Sequence, residues 1–111
     1  MIEKKKTYCF DLDDTLCITN GMDYEDSKPI KERINKVNNL YNEGNTILID
    51  SARGTKTGIC WTKKTKKQLK TWGLKYHLLR CGSKFAADLY IDDKGVNTRE
   101  WFKTKIEEVQ L

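Results

Sequence analysis

The stretch Tyr8-Cys9-Phe10-Asp11-Leu12-Asp13-Asp14-Thr15-Leu16 governs the reading of this chain. A mostly apolar run is followed at once by three carboxylates and a threonine. A strand over residues 8–12 alternates its side chains between two faces and delivers Asp11 near its carboxyl end. Open α/β sheets hold their ligands at that edge. Carboxylates this close repel one another, and a cation among them relieves the repulsion. Mg²⁺ suits such a set, because it takes oxygen ligands, commonly one or two carboxylates together with substrate phosphate.

Outward from that stretch, strand and helix patterns alternate. Residues 17–27 carry the turn pair Asn20-Gly21 and read as a loop or small hairpin beside the acids, short enough to act as a flap. Ser27-Lys28-Pro29 reads as a helix opening, with Ser27 as N-cap and Pro29 in the first turn. Ile30, Ile34, Val37, Leu40 and Tyr41 recur at helical spacing, and Gly44 supplies the stop. Thr46-Ile47-Leu48-Ile49-Asp50 is an apolar, β-branched run, expected as a parallel strand buried on both faces. Strand, helix and strand make a right-handed βαβ unit. A lysine-rich helix is expected over 62–73, a third strand over 76–81 and a fourth over 88–93. A final helix begins at Thr98 and buries Trp101, Phe102, Ile106 and Val109. Trp61 and Trp72 are expected to pack against the sheet, and His77 to be a packed or edge residue.

The bulk properties bound the possibilities. A chain of 111 residues that is 38% hydrophobic, with one proline, fits a single folded domain over 1–111. No apolar run approaches the roughly 20 residues that span a bilayer. Lys4-Lys5-Lys6 lead into no apolar signal segment, so a cytoplasmic protein without membrane association is expected. Cys9, Cys17, Cys60 and Cys81 lack metal-ligand spacing and read as reduced thiols, with Cys9 and Cys81 buried in strands. Net charge is +5, and Lys56, Lys63, Lys64, Lys66, Lys67 and Lys70 cluster. That patch is either a solvated helix face or an attractor for anionic partners, nucleic acid included.

Strand ends therefore carry Asp11 and Asp13, then Ser51, then Asp92 and Asp93, with Lys84 in the loop before the last strand. In a parallel sheet these converge on one edge. They are the parts for phosphoryl transfer to an aspartate. Asp11 would attack phosphorus, and Asp13 would serve as general acid and then base. Asp92 would hold Mg²⁺, while Ser51 and Lys84 would bind phosphate oxygens, Lys84 also offsetting the charge of Asp11.

Asp11-Leu12-Asp13-Asp14-Thr15 resembles the D-x-D-x-T motif of the haloacid dehalogenase-like (HAD) superfamily. Ser51 resembles its second motif, Lys84 its third, and Ile91-Asp92-Asp93 its acidic fourth. Ser51-Ala52-Arg53-Gly54 and the run over 87–95 are similar to short HAD phosphatases of capsular polysaccharide or phosphosugar metabolism. The resemblance implies a Rossmann-like three-layer sandwich with a mostly parallel sheet and no large cap domain. It also implies Mg²⁺ held by the Asp11 carboxylate, the Asp13 carbonyl and Asp92, with Asp93 as a supporting acid and Thr15 orienting the loop and the general acid. Without a cap, specificity falls to residues 17–27, residues 54–61 or a neighbouring subunit, so an oligomer is compatible. Arg53 is either a substrate contact or a loop ion pair, and Asp50 either perturbs the phosphate site or faces solvent.

The function expected is a Mg²⁺-dependent phosphomonoesterase for a small phosphorylated metabolite such as a sugar phosphate. A nucleic-acid end phosphatase is the alternative enzyme, and a non-catalytic binding module on the same fold is the alternative class. A cysteine phosphatase is excluded, because no cysteine has an arginine six residues on. A P-loop kinase is excluded by the lack of its glycine-rich signature.

Overall fold

The computed structural model describes residues 4–85, 87–89, 92–103 and 106. In chain order the elements are β1 (Thr7–Phe10), β2 (Cys17–Ile18), a 3-10 turn (Tyr24–Asp26), β3 (Lys28–Pro29) and α1 (Lys31–Asn42). There follow β4 (Thr46–Ser51), α2 (Thr62–Thr71), β5 (Leu78–Cys81) and α3 (Thr98–Phe102). β1, β4 and β5 form a parallel sheet in that order, with Phe10 beside Ile49 and Ile49 beside Leu79. The protein is thus a small α/β domain, and the carboxyl ends of its three parallel strands lie on one edge. β2 and β3 make a separate antiparallel hairpin, the small hairpin expected over 17–27, with Cys17 opposite Pro29.

One face of the sheet carries the core. Phe10, Ile47, Ile49 and Leu79 pack with Ile34 and Val37 of α1, Leu69 of α2, and Leu12 and Leu16 of the turn after β1. Trp101 of α3 meets Phe10 edge-on at 5.4 Å and Tyr8 at 6.0 Å. β4 alternates strictly, with Ile47, Ile49 and Ser51 buried and Thr46, Leu48 and Asp50 half-buried, so it is not buried equally on both faces. The second face bears Cys9, Leu78 and Arg80, all exposed, and the Arg80–Asp50 ion pair at 2.7 Å. Cys9 is therefore not the buried strand residue expected.

Other expectations change with tertiary context. α1 begins after Ile30, whose side chain makes no cap hydrogen bond, because Lys28 and Pro29 are drawn into the hairpin. Ser27 is consequently no N-cap, and its hydroxyl turns inward. Gly44 does end the α1 segment with φ 98°, a conformation glycine adopts freely. α3 is capped by Asn97, whose side chain accepts from the Arg99 amide, and it stops where Lys103 turns left-handed. The long final helix is therefore not formed through 103, and Val109 lies outside the described residues. Tyr90 and Ile91 of the expected fourth strand also lie outside them, and the flanking Asp88, Leu89, Asp92 and Asp93 are irregular backbone.

Truncating Ile49 at the centre of the buried face opens a cavity that the sheet cannot close. Ile49→Ala is expected to lower the unfolding free energy by about 2–5 kcal/mol, while Arg80→Ala on the other face leaves the urea midpoint nearly unchanged. Urea titration followed by far-UV circular dichroism measures both.

Candidate active site

The chain turns sharply as β1 ends. Leu12 O accepts from the amides of Thr15, Leu16 and Cys17 at 2.8–3.3 Å, and Asp14 N donates to Cys17 O at 2.7 Å. The turn requires φ 61° at Asp14, which aspartate tolerates better than most side chains. Asp14 Oδ1 also accepts from Thr19 N at 3.2 Å, so the third acid of the cluster is a turn residue. Leu12 and Leu16 point into the core, which leaves Asp11 and Asp13 on the accessible side.

The two acids have different surroundings. Asp11 is 45% accessible, with Lys84 Nζ 3.5 Å from its Oδ1. Enclosure by the surrounding chain still pushes its carboxyl above the ordinary value, with Lys84 and the Leu12 amide pulling the other way. Asp13 is gripped. Arg53 donates from Nη2 to Oδ1 at 2.8 Å and from Nε to Oδ2 at 3.0 Å, and Thr19 Oγ1 donates to Oδ1 at 2.6 Å.

Arg53 is buried and engages its whole guanidinium. Nη1 donates to Gln68 Oε1 at 2.7 Å and Thr65 Oγ1 at 3.2 Å, and Nη2 reaches Ser27 Oγ at 3.3 Å. Tyr24 lays its ring against the guanidinium, 4.9 Å from the ring centre. Burial opposes the charge on Arg53, but the bonds to Asp13 outweigh it and the pKa rises. Arg53 is thus an internal ion pair in this arrangement. Ser51 is fully buried, and its Oγ accepts from Arg53 N at 3.1 Å.

Thr15 does not orient Asp13. Its Oγ1 lies 3.2 Å from Thr98 Oγ1 and its carbonyl accepts from Arg33 Nη1, because its buried side chain points toward α3. Thr19 takes the orienting position, with Ser27 Oγ 2.6 Å behind it. Thr19, Ser27, Thr65, Gln68 and Tyr24 were not singled out from the sequence as site residues. Thr65 and Gln68 do stand three apart on a helix, the spacing that places polar groups on one inward face. Asp50 points to the opposite sheet face from Ser51 and is held by Arg80, away from the candidate site. His77 is an exposed edge residue: Nδ1 accepts from Ile47 N at 3.0 Å and the ring stacks on Tyr41.

Asp92 and Asp93 are exposed, and the Lys94 amide on Asp92 Oδ1, followed by a bond with Asp93, lowers the Asp92 pKa. Among the described residues no three His, Cys, Asp or Glu side chains gather as a metal set. The donor chemistry nevertheless fits Mg²⁺ at the turn. The Asp11 carboxylate is accessible, and the turn's internal bonds close among the described residues without using the Asp13 carbonyl.

A cleft of about 500 Å³ opens beside these residues between the hairpin and residues 54–61, with Met22, Tyr24, Ile59 and Trp61 among its walls. The lysines of α2 are exposed, and Lys64 bonds Glu25 at 2.7 Å. Trp72 packs on the core as expected, whereas Trp61 meets Tyr24 edge-on at 4.9 Å.

Comparison with solved structures finds the crystal structure of an MCSG target from Vibrio cholerae, with a TM-score of 0.78 and 26% identity over 93% of this chain and 92% of that one. No protein-family model matches the chain. No curated protein matches it either. Among the described residues no helix is long and apolar enough to cross a membrane.

Arg53→Lys keeps the charge but loses the fork that holds Asp13. It is expected to cost roughly 2–4 kcal/mol in urea unfolding. The cysteines give a second check. Burial, then the neighbouring Asp13, pushes the Cys17 thiol up to about 12, while bonds from Thr62 pull the exposed Cys60 thiol down. A short iodoacetamide pulse at pH 8 should label Cys60 first and leave Cys17 unmodified until the protein is denatured, as peptide mass mapping would read.

Proposed function

We propose that the protein is a Mg²⁺-dependent phosphomonoesterase of the HAD type, with Asp11 as nucleophile and Asp13 as general acid and base. One observation carries this reading: neighbouring acids on one turn are treated oppositely. Asp11 is accessible beside a single lysine at 3.5 Å, and Asp13 is held by a bidentate arginine and a hydroxyl. A nucleophile needs a free oxygen lone pair and access to phosphorus, whereas an acid–base group needs fixed orientation. The Rossmann-like architecture belongs to the same proposal, but a third layer does not, because the second sheet face is exposed among the described residues.

In the first half-reaction an Asp11 oxygen bonds phosphorus as the ester P–O bond breaks, and the departing oxygen takes a proton from Asp13. In the second, Asp13 takes a proton from water as that water attacks phosphorus and the Asp11–phosphate bond breaks. The Arg53 fork matches the carboxylate form of Asp13 that serves as base. For the acid step Asp13 must carry a proton and give up part of that fork. Lys84 offsets charge on Asp11 and would contact phosphate oxygens. Ser51, fully buried and accepting from the Arg53 amide, supports the loop from beneath. The Asp11 carboxylate and the Asp13 carbonyl would hold Mg²⁺, whereas Asp92, expected as the third ligand, is not gathered with them among the described residues. When bound, that ion supplies positive charge that offsets repulsion between Asp11 and phosphate.

The exposed lysines of α2 favour a second reading, a nucleic-acid end phosphatase. Its affinity would fall steeply with salt, whereas that for a sugar phosphate would not.

Phosphate release from a panel of sugar phosphates, nucleotides and a 3′-phosphorylated oligonucleotide tests the proposal. Release should require Mg²⁺ and stop with EDTA. Asp11→Asn should lower it by at least about 10³-fold, and Asp13→Asn by about 10²–10⁴-fold. Magnesium-independent release, or full activity in Asp11→Asn, would sink the proposal.

A further inference from the structure

The cleft between the hairpin and residues 54–61 has a chemistry that the phosphate-handling residues do not explain. Its volume, about 500 Å³, falls within the roughly 300–1,000 Å³ range of small-molecule sites. Its walls are largely apolar and aromatic. Tyr24 and Trp61 stand edge to face at 4.9 Å, and Met22 and Ile59 leave 60% and 59% of their surface in water. Each ring is steadied by a cation, Tyr24 by Arg53 at 4.9 Å and Trp61 by Lys64 at 5.2 Å.

Polar groups in the cleft are few. Thr55 lines it, and its Oγ1 is buried with no hydrogen-bond partner among the described residues. Leaving a buried hydroxyl unpaired costs free energy, and rotation of this side chain toward the cleft would let a ligand group recover it. Lys56 adds one charge to the lining. The loop holds its shape because Gly54 sits at φ 88°, where any Cβ would run into the Ile59 carbonyl. Ala52 and Gly54, which line the cleft, flank Arg53 in the chain, and Arg53 is bonded to Asp13. The cleft therefore adjoins the proposed phosphoryl site.

A sugar ring presents hydroxyls around its whole edge, and each one taken out of water needs a partner. This cleft offers a hydroxyl or two, an ammonium and backbone, set among flat and flexible apolar surfaces. A nucleobase fits that balance. Its faces match the aromatic and thioether walls, and its few edge groups match Thr55 and Lys56. We propose that this cleft binds a nucleobase, so that the phosphomonoester processed at Asp11 is a nucleotide, free or at the end of a nucleic acid. The substrate assignment rests on the phosphatase reading above, whereas the base-binding site does not.

The test separates the two. Adenosine and glucose, neither carrying phosphate, are titrated into the full chain while the three tryptophan indole N–H resonances are followed by NMR. Adenosine should shift the Trp61 resonance and leave those of Trp72 and Trp101 in place, and glucose should shift none. Met22→Glu, at an exposed position that leaves folding untouched, should weaken adenosine binding about tenfold or more. With Mg²⁺, kcat/KM for adenosine monophosphate should exceed that for glucose 6-phosphate by about tenfold or more, and Met22→Glu should abolish the preference. A 3′-phosphorylated oligonucleotide at two salt concentrations distinguishes the sources. A steep salt dependence with preference for the oligomer assigns a nucleic-acid end, and preference for the monomer assigns a free nucleotide, both supporting the site. A silent Trp61 at millimolar adenosine, or preference for glucose 6-phosphate, overturns the nucleobase site and leaves the phosphatase reading standing. A Trp61 shift without phosphate release from any substrate upholds the site and overturns the phosphatase reading.

Discussion

A guanidinium removed from water is tolerable only if its donors are bonded, and Arg53 meets that condition by drawing on three other parts of the chain. Asp13 comes from the turn after β1, Tyr24 and Ser27 from the hairpin segment, and Thr65 and Gln68 from α2, while Arg53 itself follows β4. Of these parts, the hairpin and α2 have little apolar surface with which to fix themselves. The hairpin is two residues per strand, and the described apolar stripe of α2 is little more than Leu69. Their position against the turn is therefore held largely by one buried cation. The cleft inherits its walls from the same arrangement, because Tyr24 is held against the guanidinium and Trp61 immediately precedes α2.

The same bond differentiates two carboxylates that are chemically identical in isolation. Asp13 spends both oxygens on Arg53 and Thr19 and has its orientation fixed. Asp11, two residues earlier, is left accessible with Lys84 alongside. Leu12 between them is fully buried and prevents the turn from rotating to exchange their environments. Asp14, which looks in the sequence like a third member of the cluster, is consumed by the geometry of the turn.

Positive charge is distributed with a similar split. Arg33 and Arg53 are interior and donate to specific acceptors, whereas the lysines of α2 remain in solvent. Arginine suits the first task because its planar fork is pre-organised and less strongly hydrated, and lysine suits the second. The net charge of +5 is thus carried largely by exposed side chains rather than by the interior ion pair.

Much of this was legible in the sequence, where local pattern and local physics coincide. The strands over 7–10, 46–51 and 78–81, the helical spacing of Ile34 and Val37, the stop at Gly44 and the approach of Lys84 to Asp11 all follow from period, turn chemistry and topology. Other features were decided only by tertiary structure. Ser27 has the chemistry of a helix cap, yet pairing of Lys28 and Pro29 with β2 pulls the helix start past it and turns its hydroxyl toward Arg53. Thr15 and Thr19 are equivalent choices by composition, and only the path of the turn gives Asp13 to Thr19. Cys9 reads as a core residue, but which face of a sheet is covered depends on where the helices return. Arg53 left two readings open, because a sequence shows that a guanidinium is present but not which acceptors surround it. The sequence determines what depends on neighbours along the chain, and folding decides what depends on partners brought from far along it.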